Sequence, residues 1–204
     1  MKDPAVADTK DRLLRAGERL FRTQGYAGTG LKELTQAAEA PWGSLYHFFP
    51  GGKAQLGAEV MAYAGQLYLA GWRRAFERRG DTGEAVEKVF LAEVGILEAS
   101  GYADGCPIAS VTLDVASTSE DLRAACEEAF ALWLAELRAG FVAAGAPDDA
   151  ASGLAGFVLS ALEGAIVLSR AAKDPAPLLQ SATYVRRLIA SEAATWTTAA
   201  TAPA

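Results

Sequence analysis

The apolar positions of the chain follow helical spacing almost throughout. Leu13, Ala16, Gly17, Leu20 and Phe21 recur at three- and four-residue intervals, while Arg12, Arg15, Arg19 and Arg22 fall largely on other faces. Asp8 is placed to cap this first helix. Gly25 is placed to end it, because glycine readily takes the left-handed conformation that closes a helix. Leu31, Leu34 and Ala38 form the stripe of a short second helix, opened at Thr29-Gly30 and stopped before Pro41. A third short helix is predicted from Trp42 to Phe48. In it Leu45, with Phe49 four residues on, can pack inward and leave Gly43, Ser44, Tyr46 and His47 on the other side. Pro50-Gly51-Gly52 then breaks the chain.

Longer helices follow. One pattern runs over 53–79. Asp81 and Glu84 are spaced as a cap and its capping-box partner for a helix over 82–99. A short apolar segment over 106–116 reads as helical, and Ser119-Glu120-Asp121 caps a helix to about 144. Two more run over 147–173 and from Asp174-Pro175 to about 194. The expectation is an all-α protein of about nine helices with no strand. Residues 1–52 form a small N-terminal domain of short helices, 53–195 a larger helical domain, and 196–204 an Ala/Thr-rich, disordered tail.

Composition agrees. The 204 residues include 44 Ala and 23 Leu against 15 Val plus Ile, which favours helix over strand. The net charge of −6 argues against a protein that coats nucleic acid by positive charge alone. That charge is unevenly spread. Residues 1–56 carry 8 Lys+Arg and 6 Asp+Glu, while the remainder carries 11 and 19, so a slightly basic head precedes an acidic body. Two cysteines, Cys106 and Cys126, make no disulfide framework. One histidine, His47, leaves no multi-histidine metal site. Motifs for phosphate binding, serine hydrolysis or zinc hydrolysis are missing, so neither catalytic residues nor a cofactor are expected. The N-terminus lacks a signal-like apolar run and no long apolar stretch is free of charge, which together predict a cytoplasmic protein with no membrane partner.

Two short helices joined by a tight turn, backed by a third, are the parts of a helix-turn-helix. The second of the pair fits the major groove of DNA. Phe21-Arg22-Thr23-Gln24-Gly25-Tyr26, Thr29-Gly30-Leu31-Lys32-Glu33-Leu34, Gly43-Ser44-Leu45-Tyr46-His47-Phe48-Phe49 and Lys53 together resemble the DNA-binding domain of the TetR family of bacterial transcriptional regulators. Pro50-Gly51-Gly52-Lys53, Gly105-Cys106-Pro107-Ile108 and Ala161-Leu162-Glu163-Gly164-Ala165 resemble its LmrA/YxaF-like branch.

The resemblance implies a homodimeric repressor that leaves a palindromic operator when a small effector binds its body. By position, Thr29, Lys32, Trp42, Gly43, Ser44, Tyr46, His47 and Lys53 would contact DNA. Two positions depart from the family pattern, which often has lysine at the place of Trp42 and histidine at that of Phe48. A pocket for a hydrophobic or aromatic effector would draw on Trp72, Phe76, Phe90, Val94, Leu97, Cys106, Ile108, Val111, Trp133, Leu137 and Leu159, with Glu163 as a polar anchor. Dimerisation would use Gly156, Leu159, Ala165, Ile166 and Ser169 on the penultimate helix, and Tyr184, Val185, Leu188 and Ile189 on the last. A module of the same fold with weakened DNA binding is the alternative that Trp42 and Phe48 suggest.

Overall fold

The computed structural model describes residues 4–77 and 81–199. Among these residues the chain forms nine helices and no strand: α1 Pro4–Gly28, α2 Leu31–Ala37, α3 Trp42–Phe48, α4 Gly52–Glu77, α5 Thr82–Ala99, α6 Pro107–Val115, α7 Glu120–Ala143, α8 Asp148–Ala172 and α9 Ala176–Ala199. The expected end of the fourth helix at 79 and most of the expected tail, 200–204, lie outside the described residues.

Local chemistry sets most boundaries. Asp81 accepts hydrogen bonds from the N–H groups of Gly83 and Glu84, as a cap should. The Glu84 carboxylate is engaged by Lys88 at 2.6 Å. Asp174 accepts from the N–H of Ala176 at 2.8 Å and opens α9. Two ends differ from expectation. Asp8 is not a cap: α1 begins at Pro4, and Asp8 pairs one turn on with Arg12 at 3.3 Å. The helical part of the C-terminal segment is also longer than expected. α9 continues to Ala199, and Trp196 is buried within it, so 196–199 are not a disordered tail.

The residues pack as two compact units. The first comprises residues 1–67 and 105–130, the second 68–104 and 131–204. In the first, α1 packs on α6 and supports α2 and α3. Its core is Leu13, Phe21, Leu34, Leu45, Phe49, Leu56, Val60, Ile108, Val111 and Leu122. Gly17 permits the close approach of α1 to α4, since a Cβ there would lie 2.6 Å from Val60 Cγ2. The compact unit that holds the short helices thus extends past residue 52 and includes α6.

In the second unit α9 packs along α5 and α8. Arg186 pairs with Glu87 at 2.6 Å and Arg73 with Glu136 at 3.0 Å. Tyr68 meets Trp133 edge-on at 5.9 Å and Phe76 meets Phe141 at 6.1 Å. By length and composition α8 is apolar enough to cross a membrane. Here one of its faces is buried, through Leu154, Val158, Leu162, Ala165, Ile166 and Ser169.

Candidate nucleic-acid interface

The site begins with two anchors. Leu45 and Phe49, four residues apart, are both fully buried and fix the inward face of α3. The opposite face is thereby presented to solvent. Trp42 is 50% and Tyr46 48% exposed, and Gly43 and His47 are exposed beside them. The indole and phenol rings meet edge-on at 5.8 Å. Thr9, Gly43, Ser44, His47 and Phe48 line an open groove of about 280 Å³ along this surface.

The turn before α3 is held from α1. Glu39 takes a left-handed conformation (φ 49°), and Pro41 leads directly into the helix. Arg12 Nη1 donates to the carbonyls of Ala38 at 3.0 Å and Glu39 at 2.8 Å, and Nη2 donates to Thr9 Oγ1. A cation at these carbonyls suits the negative end of α2. Of the four arginines of α1, Arg15 and Arg19 are exposed, Arg15 pairing with Asp11 at 2.7 Å, while Arg12 fastens the turn and Arg22 sits half-buried near Glu18.

The expected DNA contacts fall into two groups. Lys32, Trp42, Gly43, Tyr46 and His47 are exposed and Ser44 is half-buried on the same face of α3. Thr29 is different. It is 1% exposed, its hydroxyl donates to the Gly25 carbonyl at 2.7 Å, and it accepts from Gln24 Nε2. Its side chain therefore secures the linker into α2 and is closed to a phosphate. Lys53 lies in the first turn of α4, where free backbone N–H groups favour an anion. Its ammonium stands 4.4 Å from the centroid of the Tyr26 ring. Partial burial pushes the Lys53 pKa down, while the nearby Asp114 carboxylate acts in the opposite sense. Burial also raises the Tyr26 pKa.

The residues expected to line an effector pocket divide between the units. Trp72, Phe90, Leu97, Trp133, Leu137 and Leu159 are buried in the second unit, with Phe76, Val94 and Glu163 half-buried there. Cys106, Ile108 and Val111 belong to the first. The dimerisation set is also divided. Leu159, Ala165, Ile166, Ser169, Val185 and Ile189 are buried inside the protomer, Gly156 and Leu188 are half-buried, and Tyr184 is 67% exposed. The exposed apolar residues of α8 are others, namely Phe157, Val167 and Leu168.

The cysteines differ in access. Cys106 caps α6, its Sγ accepting from the Ala109 N–H at 3.4 Å, and is half-buried. Cys126 is buried, and desolvation raises its thiol pKa. A small alkylating reagent at mildly alkaline pH is expected to label Cys106 first and spare Cys126 in the folded protein, because the thiolate is the reacting form. Peptide mass spectrometry showing equal rates at both positions would refute the assignment.

The chain is similar to known regulators over most of its length. Residues 13–60 match the model described as bacterial regulatory proteins, tetR family, and residues 82–184 match the transcriptional regulator LmrA/YxaF-like C-terminal domain. The HTH-type transcriptional regulator LmrA of Bacillus subtilis is 32% identical over 186 residues, which is 91% of this chain and 98% of that protein. The uncharacterised HTH-type regulator YxaF of the same organism is 31% identical over 182 residues, 89% of this chain and 95% of its own. The repressor NemR of Escherichia coli is 30% identical over 125 residues, 59% of this chain and 61% of that protein. A regulatory protein TetR from Rhodobacter sphaeroides has the same fold, with a TM-score of 0.78 at 23% identity, covering 87% of this chain and 96% of that one.

Proposed function

Since the chain belongs to the TetR family of bacterial regulatory proteins, we propose that it is a homodimeric repressor, released from a palindromic operator by a small hydrophobic or aromatic effector. Its family is DNA-binding, and its relatives are transcriptional regulators. Such a protein works in the cytoplasm. NemR, one of the relatives, is named a repressor. The observation that carries the reading is the face of α3. Two fully buried anchors hold it, and it presents Trp42, Gly43, Tyr46 and His47 together. On this reading those side chains meet base edges and sugars, and Lys32 and Lys53 meet phosphates. The acidic body is repelled by the duplex, which confines contact to the heads.

Fluorescence anisotropy with the DNA upstream of its own gene tests this. Tyr46→Ala is expected to weaken specific binding by about 1–3 kcal/mol, roughly 5- to 150-fold, and to relax discrimination at one base position. Wild-type protein that binds scrambled DNA equally well at physiological salt would refute the proposal.

The exposed Trp42 supports a second reading, in which DNA binding is weakened, because lysine is the frequent family residue there. Trp42→Lys is expected to steepen the salt dependence of binding by about one unit, as one more phosphate is neutralised. If neither the wild type nor this variant binds operator DNA, the fold serves ligand or protein binding alone. For the effector, a thermal-shift screen of aromatic and hydrophobic compounds is the direct measurement, since a ligand of the native state raises Tm with concentration.

A further inference from the structure

The link from α1 to α2 is held by a residue from far along the chain. The backbone leaves the helix at Gly25, with φ 75° and ψ 176°. Asp114, on α6, reaches this bend and accepts the Ala27 N–H at Oδ2 over 3.0 Å. The carboxylate lies where a side chain at residue 25 would be. A Cβ on Gly25 would come within 2.6 Å of the same Oδ2. The bend and the carboxylate therefore fit only because glycine occupies that position.

Between Gly25 and Ala27 stands Tyr26, and its ring is placed on three sides. Phe21 meets it edge-on at 5.5 Å. Gly57 of α4 leaves room for it, since a Cβ there would sit 2.9 Å from Tyr26 Cε2. On its face rests the Lys53 ammonium at 4.4 Å. A cation over an aromatic face is attracted to it, so the position of the ring guides the position of the charge. Burial of the Lys53 amine and the opposing effect of Asp114 agree with one connected cluster.

We propose that Asp114 is a positioning residue for DNA binding: by fastening the bend at Gly25–Ala27 from α6 it sets the Tyr26 ring, and through that ring the pose from which Lys53 meets a phosphate. The inference rests on the regulator reading. It predicts that Asp114 matters to DNA binding only while Lys53 is present.

The experiment is a double-mutant cycle on the full-length protein, read as the affinity and salt slope of binding to a duplex of scrambled sequence at low salt. A phosphate contact is independent of sequence, so no operator need be known. Asp114→Ala is expected to weaken binding severalfold and to lower the salt slope by about one unit. Asp114→Asn keeps an oxygen acceptor for the Ala27 N–H and is expected to restore both. In the Lys53→Met background, Asp114→Ala is expected to change neither. A merely structural role would lower Tm and leave the slope of the folded protein unchanged. The inference is overturned if Asp114→Ala binds as the wild type does, if its effect persists undiminished with Lys53→Met, or if Asp114→Asn behaves as the alanine variant. Should Asp114→Ala fail to fold, Asp114→Leu, which fills the volume but accepts no hydrogen bond from Ala27, takes its place in the cycle with and without Lys53→Met. Wild-type protein that binds no duplex at any salt would sink the regulator reading itself, whereas the outcomes above remove only the role of Asp114.

Discussion

A charge on the outward face of α8 is expected to leave the protomer folded and to reduce operator binding to that of a single head. Phe157, Gly164 and Leu168 recur along one side of that helix, with Val167 beside them. Phe157 and Val167 are each 52% exposed and Leu168 61%, while Tyr184 on α9 is 67% exposed. Exposed apolar residues gathered on one side of a helix suit an interface. A stable one buries upwards of about 1,000 Å². Gly153 and Gly164 have no heavy atom within 4 Å of where a Cβ would be, which leaves space for a facing helix. The inward face is already occupied by Leu154, Val158, Leu162 and Ile166, so Phe157→Asp and Leu168→Arg spare the core. Each variant is expected to sediment at the 21.3 kDa of a single chain, with a melting curve close to that of the wild type. Affinity for a duplex carrying two half-sites, set about 34–36 Å apart or a multiple of it, should fall to that of one head on a single half-site. Variants that remain dimeric, or monomers that still bind the whole operator as tightly as the wild type, would refute the interface.

The same two helices show where sequence reading ran out. Apolar period and caps located α3 and α5 to the residue, because Pro41 and Asp81 mark entries that chemistry allows in few ways. The exposed face of α3 was equally legible, since Leu45 and Phe49 leave it only one outward side. On α8 both faces are apolar. Periodicity finds the stripes but cannot say which one the protomer keeps, so Ala165 and Ile166 were read outward although the protomer buries them, and Leu159 was read both ways. Long-range polar contacts leave even less trace. Arg12 reaches the Ala38 and Glu39 carbonyls across 26 and 27 residues, and Asp114 reaches Ala27 across 87. In sequence, each is one charged residue on an otherwise ordinary helix. Thr29 was misread for a related reason. A threonine before a helix suits a phosphate or a local backbone bond equally well, and here the Gly25 carbonyl takes its hydroxyl.

Removing the larger anchor should have the largest effect on the head. Phe49 is fully buried at the C-terminal end of α3, where its N–H donates to the Leu45 carbonyl at 2.7 Å. Its ring meets Phe48 edge-on at 6.4 Å. Lys10, which is paired with Glu59 of α4 at 2.6 Å, lies 5.6 Å from the ring centroid. The side chain thus ties α3 to α1 and α4. α2 and α3 have seven residues each, too few to persist without such packing. Phe49→Ala is expected to cost about 3–5 kcal/mol, a large share of the roughly 5–15 kcal/mol that holds a typical domain. Phe49→Leu keeps most of the volume and should cost less than about 1.5 kcal/mol. Denaturant melts read at Trp42, which lies in α3 itself, in a background where Trp72, Trp133 and Trp196 are replaced by Phe, should show the alanine variant losing this helix first, while far-UV dichroism keeps the signal of α5, α8 and α9. DNA binding should fail in step with the Trp42 transition, not with the loss of total helix. A wild-type midpoint for Phe49→Ala would mean that α3 is held by something other than its buried face.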